Sequence, residues 1–125
     1  MKTKGEMEAE ISQAMVQFEI EHMGRGPKEA RTYIIDDMVL VRLKGVLTPA
    51  EQQLTRSADG VELIKKVRST LIEGAKPILF QVIGDITGAK AIGLHTDIST
   101  VSGERIIVFT LDRNLESSLP RKQSP

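Results

Sequence analysis

Arg31-Thr32-Tyr33-Ile34-Ile35-Asp36-Asp37-Met38-Val39-Leu40-Val41-Arg42-Leu43 decides the fold. Two runs rich in Tyr, Ile, Val and Leu flank a pair of aspartates, the pattern of two strands joined by a two-residue turn. That register sets Ile35 opposite Met38, Ile34 opposite Val39, Tyr33 opposite Leu40, Thr32 opposite Val41 and Arg31 opposite Arg42. One face then carries Thr32, Ile34, Val39, Val41 and Leu43 and is assigned to the core. The other carries Arg31, Tyr33, Ile35, Met38, Leu40 and Arg42, and is unusually apolar for a face in water.

Upstream of the hairpin, Lys4 to Met23 is free of proline, and Met7, Ile11, Ala14, Met15, Phe18 and His22 recur at helical spacing. A second stripe, Val16, Ile20 and Met23, makes the apolar face wider than one sheet needs to cover. Gly24 is placed to cap the helix in the left-handed conformation, and Pro27 prevents its resumption. Downstream, Thr48-Pro49-Ala50-Glu51 is a helix start, with Thr48 as cap, Pro49 at the first helical position and Glu51 completing a capping box. Apolar positions continue through Leu54, Ala58, Val61, Ile64, Val67, Leu71, Ala75, Ile78, Val82 and Ile86 to a stop near Gly88. Asp59-Gly60 interrupts this long helix, and Pro77 is expected to bend it near Glu73 or Gly74.

Ala89 to Ser99 and Arg105 to Leu111 form a second hairpin. Centring its turn on Ser102-Gly103 sets Ile98 opposite Ile107, Thr96 opposite Phe109 and Leu94 opposite Leu111. The expected fold is α+β in the order αββαββ, a four-stranded antiparallel sheet with its helices on one face and a long kinked second helix. Residues 1–116 make a single domain, and residues 117–125, with two prolines and no periodicity, read as a mobile tail.

A chain of 125 residues fits one core, and 40% hydrophobic with 27% charged content is that of an ordinary globular domain. No apolar run approaches the roughly 18 residues that cross a membrane, and the charged start has no apolar segment behind it, so neither membrane insertion nor secretion is expected. Seventeen basic residues balance seventeen acidic ones, and aromatics are only 3%, which removes the positive field and the stacking platforms of nucleic-acid sites. The absence of cysteine excludes disulfides and thiolate metal sites and fits a cytoplasmic address.

Gly24-Arg25-Gly26-Pro27-Lys28, the first hairpin, Leu47-Thr48-Pro49-Ala50-Glu51, and then Asp97-Ile98-Ser99-Thr100, Gly103-Glu104 and Ile107-Val108-Phe109-Thr110-Leu111 together resemble the MpsC-like family. The resemblance covers nearly the whole chain. It implies a small bacterial cytosolic protein associated by name with a membrane-potential-generating, Na+-translocating system, and it implies no known catalytic residues.

Arg31 facing Arg42 is the most informative pair, because like charges across strands repel by up to about 1 kcal/mol unless something acidic lies between them. An anionic ligand or an acidic partner would supply that charge, and so would Glu29, which the register sets opposite Lys44. Gly24-Arg25-Gly26-Pro27-Lys28 follows a helix, whose negative end disfavours an anion, and reads as a cap and turn. His95 and Asp97 share a strand face with Thr110 expected opposite His95, the ingredients of acid–base chemistry but without a third metal ligand. The acidic residues of the first helix, Glu19 and Glu21 among them, read as a solvated face.

These observations lead to a non-enzymatic interaction protein with no cofactor, no metal and no catalytic residue, a soluble accessory of a membrane cation-translocating or inorganic-carbon system. The alternative is a sensor binding an anionic ligand at the outer face of the first hairpin. Arg31, Tyr33, Leu40 and Arg42 are the candidate ligand or partner residues. A homodimer is expected, with Val16, Ile20, Met23, Ile35 and Met38 as its candidate interface.

Overall fold

In the computed structural model, which describes residues 2–120, a capping box at Thr3 and Glu6 opens α1 (Lys4–Met23), and Gly24 closes it at φ 84°. The left-handed backbone there is the one that glycine adopts without steric cost. β1 (Glu29–Ile35) and β2 (Met38–Lys44) follow as an antiparallel pair in the expected register, from Glu29 opposite Lys44 to Ile35 opposite Met38. Asp36 takes φ 52° in the turn, and the Asp36 N–H donates to Glu116 Oε1 at 2.9 Å.

The capping box at Thr48 is present: its Oγ1 accepts from the Glu51 N–H at 3.2 Å, and its own N–H donates to Glu51 Oε1 at 2.9 Å. It starts a short α2 (Pro49–Leu54), and a separate α3 (Ala58–Thr87) carries the rest of the expected long helix. The break has a local cause. Ser57 caps α3 by accepting from the Gly60 N–H at 3.0 Å, and Gly60 lies so close to the Leu54 carbonyl that a Cβ there would have no room. Helical structure continues through Pro77 to Gly88, which caps it at φ 73°.

β3 (Ala91–Ser99) and β4 (Glu104–Leu111) form the second hairpin, but two residues from the expected register: Ile98 faces Arg105, Thr96 faces Ile107 and Leu94 faces Phe109. The turn is wider than expected, spanning Thr100 to Gly103 with Gly103 at φ 72°, and the pairing is irregular between Ala91 and Gly93. Because the slip is two residues, each side chain keeps its face of the sheet. A four-residue helix, α4 (Leu115–Ser118), follows where the sequence suggested no structure, and Leu115 is buried. Of the expected tail, residues 117–120 thus include the end of α4, and residues 121–125 lie outside the described residues.

The sheet order is β1-β2-β4-β3, antiparallel throughout. α1 packs on β1, α3 on β3, and the two helices on each other. Ile34, Val39, Ile107 and Phe109 meet Met7, Ile11, Met15, Phe18, Ile72, Leu79 and Ile83 in one core.

α3 buries a face that shares only Ile64 and Ala75 with the stripe read in its sequence. The buried set is Gly60, Ile64, Arg68, Ile72, Ala75, Leu79, Ile83 and Thr87, whereas Val67, Leu71 and Ile78 are 43–48% exposed. Two stripes of helical period lie side by side, and the one that contains an arginine points inward.

Candidate functional site

Three cross-strand rows, with the pairs Glu29–Lys44 and Ser99–Glu104 beyond them, make up the face of the sheet away from the helices. Ile35, Met38, Thr110 and Gly93 form one; Tyr33, Leu40, Val108 and His95 form the next; Arg31, Arg42, Ile106 and Asp97 form the third. An antiparallel sheet with one wet face normally sets polar side chains there. Here Tyr33, Ile35, Met38, Leu40, Ile106 and Val108 are partly or largely exposed and run across three strands.

At one end this apolar band meets charge. Arg31 and Arg42 do face each other, and the repulsion is relieved from both sides. Arg31 Nε donates to Glu29 Oε1 at 3.2 Å, Glu29 Oε2 lies 3.6 Å from Lys44 Nζ, and Arg42 Nε donates to Glu104 Oε2 at 2.6 Å. Glu29 was legible in the sequence, but Glu104 was not, since it approaches from β4. Glu29, Arg31, Tyr33, Arg42 and Lys44 enclose a shallow depression of about 250 Å³. Three cations against Glu29 and Glu104 leave this rim one positive charge in excess.

The expected interface residues of α1 lie elsewhere. Val16 and Ile20 sit over Gly26, where a Cβ would come within 3.1 Å of Ile20 Cγ1, and Met23 packs partly buried against the core. The returning loop thus covers part of this second stripe. Ile35 and Met38 belong to the outer sheet face together with Tyr33 and Leu40.

His95 faces Val108 rather than Thr110. Asp97 accepts from the Ile98 N–H at 2.8 Å and pairs with Lys65 at 3.3 Å, and the Ile98 bond, then Lys65, hold its carboxyl below the usual range. Both contacts fall on Asp97 Oδ1, which thus serves the local structure, and among the described residues no group of three His, Asp or Glu is placed to hold a metal. A larger cleft of about 1130 Å³ lies between the start of α1 and α4, and three of its charged residues, Lys4, Glu8 and Glu116, are engaged within the chain. Lys4 pairs with Glu116 at 2.6 Å, and Glu8 accepts from the Ile34 N–H at 2.8 Å.

Beneath the sheet lies a charged cluster that the sequence did not reveal. Glu19, read as solvated, is fully buried, with Arg68 and Arg105 at 2% exposure. Arg68 donates to both Glu51 oxygens at 2.7 Å and to the Val46 carbonyl at 3.0 Å, while Glu19 Oε1 lies 3.7 Å from Arg68 Nη1. Arg105 occupies the inner row of Ala30, Leu43 and Ile98, and neither its Nε and Nη1 nor either oxygen of Glu19 has a hydrogen-bond partner among the described residues. Burial raises the Glu19 pKa, against the pull of Arg105 and Arg68. It likewise lowers the Arg105 pKa, against the pull of Glu19. For Glu51, burial works upward, yet the bonds from Arg68 and Thr48 prevail and hold its carboxyl below the usual value. A lone Glu on a helix and a lone Arg on a strand give no periodic signal of burial, so pattern reading passes over both.

The family model described as Na+-translocating membrane potential-generating system (MpsC) matches residues 3–113, from the cap of α1 to just beyond β4. The chain belongs to the MpsC family. Among its relatives is the Bacillus subtilis (strain 168) protein described as uncharacterized protein YbcI, 43% identical over 120 residues that cover 96% of this chain and 97% of the relative. The uncharacterized protein YrhF of the same organism is 28% identical over 105 residues, covering 83% and 86%. No solved structure matches this MpsC-family chain. No helix among its described residues is long and apolar enough to cross a membrane.

Proposed function

We propose that this MpsC-family chain is a non-enzymatic, cytoplasmic interaction protein that docks, by the outer face of its sheet, onto a subunit of a membrane cation-translocating system. The observation that carries the reading is the apolar band of Tyr33, Ile35, Met38, Leu40, Ile106 and Val108, each partly exposed on the outer face of the sheet and bordered by Arg31 and Arg42. Such a band with a polar rim has the composition of a docking surface. Its excess positive charge suits an apolar partner segment flanked by carboxylates. The family's description supports the choice of partner.

A photo-crosslinking residue placed at Leu40 in the source cells is expected to capture a membrane subunit of that system, and one at Gln81, on the exposed side of α3, is not. Leu40→Asp should abolish capture by a crosslinker at Tyr33 while leaving the circular dichroism of the purified chain unchanged. Capture from Gln81 alone, or capture indifferent to Leu40→Asp, refutes the reading. The depression at Arg31 and Arg42 supports a second reading, an anionic small molecule as ligand. A reproducible rise in melting temperature with one anionic metabolite, lost in Arg42→Met, would favour it.

A further inference from the structure

The stripe of α3 that points away from the core is itself apolar. Leu63, Val67, Leu71 and Ile78 are 43–52% exposed, and Gly74 completes the line with open space where a Cβ would stand. At about 1.5 Å per residue, Leu63 to Ile78 spans roughly 22 Å, long enough for a helix–helix contact.

We propose that α3 pairs antiparallel with α3 of a second copy of this chain, about a two-fold axis passing between the levels of Thr70 and Leu71. The stripe matches its own reversal. In that register Leu63 faces Ile78 of the other copy, and Val67 faces Gly74, so that a branched side chain enters the notch that a glycine leaves. An antiparallel two-fold also sets each flank of the helix against the same flank of its mate. Lys66 and Glu73, both exposed and seven residues apart, share one flank. In this register each Lys66 comes within about 3 Å, along the axis, of the level of the other copy's Glu73, within reach of both side chains. A pattern that complements itself under reversal fits a two-fold partner of identical sequence and closes the assembly at two copies. The surface is separate from the outer sheet face, so the dimer carries two docking faces and stands or falls independently of the function proposed above.

The chain has no cysteine, which makes site-directed crosslinking clean. Sedimentation equilibrium of the full chain at tens of micromolar is expected to show a dimer. Thr70→Cys, next to the axis, should become disulfide-linked under mild oxidation, and Ile35→Cys should not. Leu71→Glu should sediment as a monomer with unchanged circular dichroism. Lys66→Glu and Glu73→Lys should each weaken association roughly tenfold, and an equimolar mixture of the two should regain it. A monomer under these conditions, a dimer indifferent to Leu71→Glu, or crosslinking through Ile35→Cys in place of Thr70→Cys overturns the proposal. If Leu71→Glu fails to fold, the crosslinking pair decides alone.

Discussion

Arg68→Met tests the buried cluster most directly. The side chain is 2% exposed and makes two bonds of 2.7 Å to Glu51, one of 3.0 Å to the Val46 carbonyl, and an ionic contact at 3.7 Å to Glu19. Methionine fills much of the volume and makes none of these. Glu19 would lose its nearest cation in a site without water access, and the Val46 carbonyl would lose a donor. Removing one partner from a buried charge network costs about 3–5 kcal/mol, a large share of the roughly 6–15 kcal/mol that stabilises a domain of this size. The melting temperature is expected to fall by roughly 10–20 °C.

The pH dependence has a defined sign. Glu19 has a folded pKa above its ordinary 4.5, so the native state holds that proton more firmly than the unfolded chain, and stability falls as pH rises from about 4.5 through the folded value. Glu51 acts oppositely, with stability gained as pH rises towards 4.5. Without Arg68 the Glu51 contribution shrinks and the Glu19 contribution grows, so the variant's deficit should be smaller at pH 4.5 than at pH 7.5. The triple variant Glu19→Leu/Arg68→Met/Arg105→Leu, which removes the buried charges together, should lose less stability than Arg68→Met alone. Chemical denaturation at both pH values measures all of this. A loss under about 1 kcal/mol for Arg68→Met, or a larger loss for the triple variant, refutes the account.

Leu115→Ala should cost about 2–5 kcal/mol, because Leu115 is 1% exposed and packs in the core from a helix of only four residues; a loss below that range by urea titration would show α4 to be dispensable. Gly60→Ala should cost about 1–3 kcal/mol, since its methyl group meets the backbone carbonyl of Leu54, and an unchanged midpoint would mean that the α2–α3 junction yields freely. Arg42→Met should change stability by less than about 1 kcal/mol, as its pair with Glu104 is half in water. A larger drop would make the outer charge ladder a stabilising network rather than the rim of a docking face.

The first hairpin was legible because three signals agreed there: alternation, β-branched content and a turn whose length permits one register. The second hairpin lacked the last of these. Its turn carries four residues with glycine at the end, and the irregularity near Gly93 adds to the ambiguity, so the faces were read correctly and the partners were two residues off. In α3, Val67 and Leu71 follow the helical period as well as Ile64, Ile72 and Leu79 do. The choice between the stripes was made by Arg68, drawn inward by Glu51 and Glu19 from other elements, and no local pattern encodes that. Of the outer face, Arg31, Tyr33, Leu40 and Arg42 were legible from the register alone, while Ile106, Val108 and Glu104 required knowing that β4 lies beside β2.

Glu51 belongs both to a local signal and to a tertiary bond. Its Oε1 accepts from the Thr48 N–H and from Arg68, and its Oε2 accepts from Arg68 as well. A capping box by itself is satisfied by Glu or Gln at this position. The forked guanidinium asks for two acceptors and a negative charge, which glutamine does not supply. The start of α2 is therefore spelled in a narrower alphabet than helix starts in general, and a substitution that ordinary helix rules regard as silent would be felt in α3 and, through Glu19, in α1.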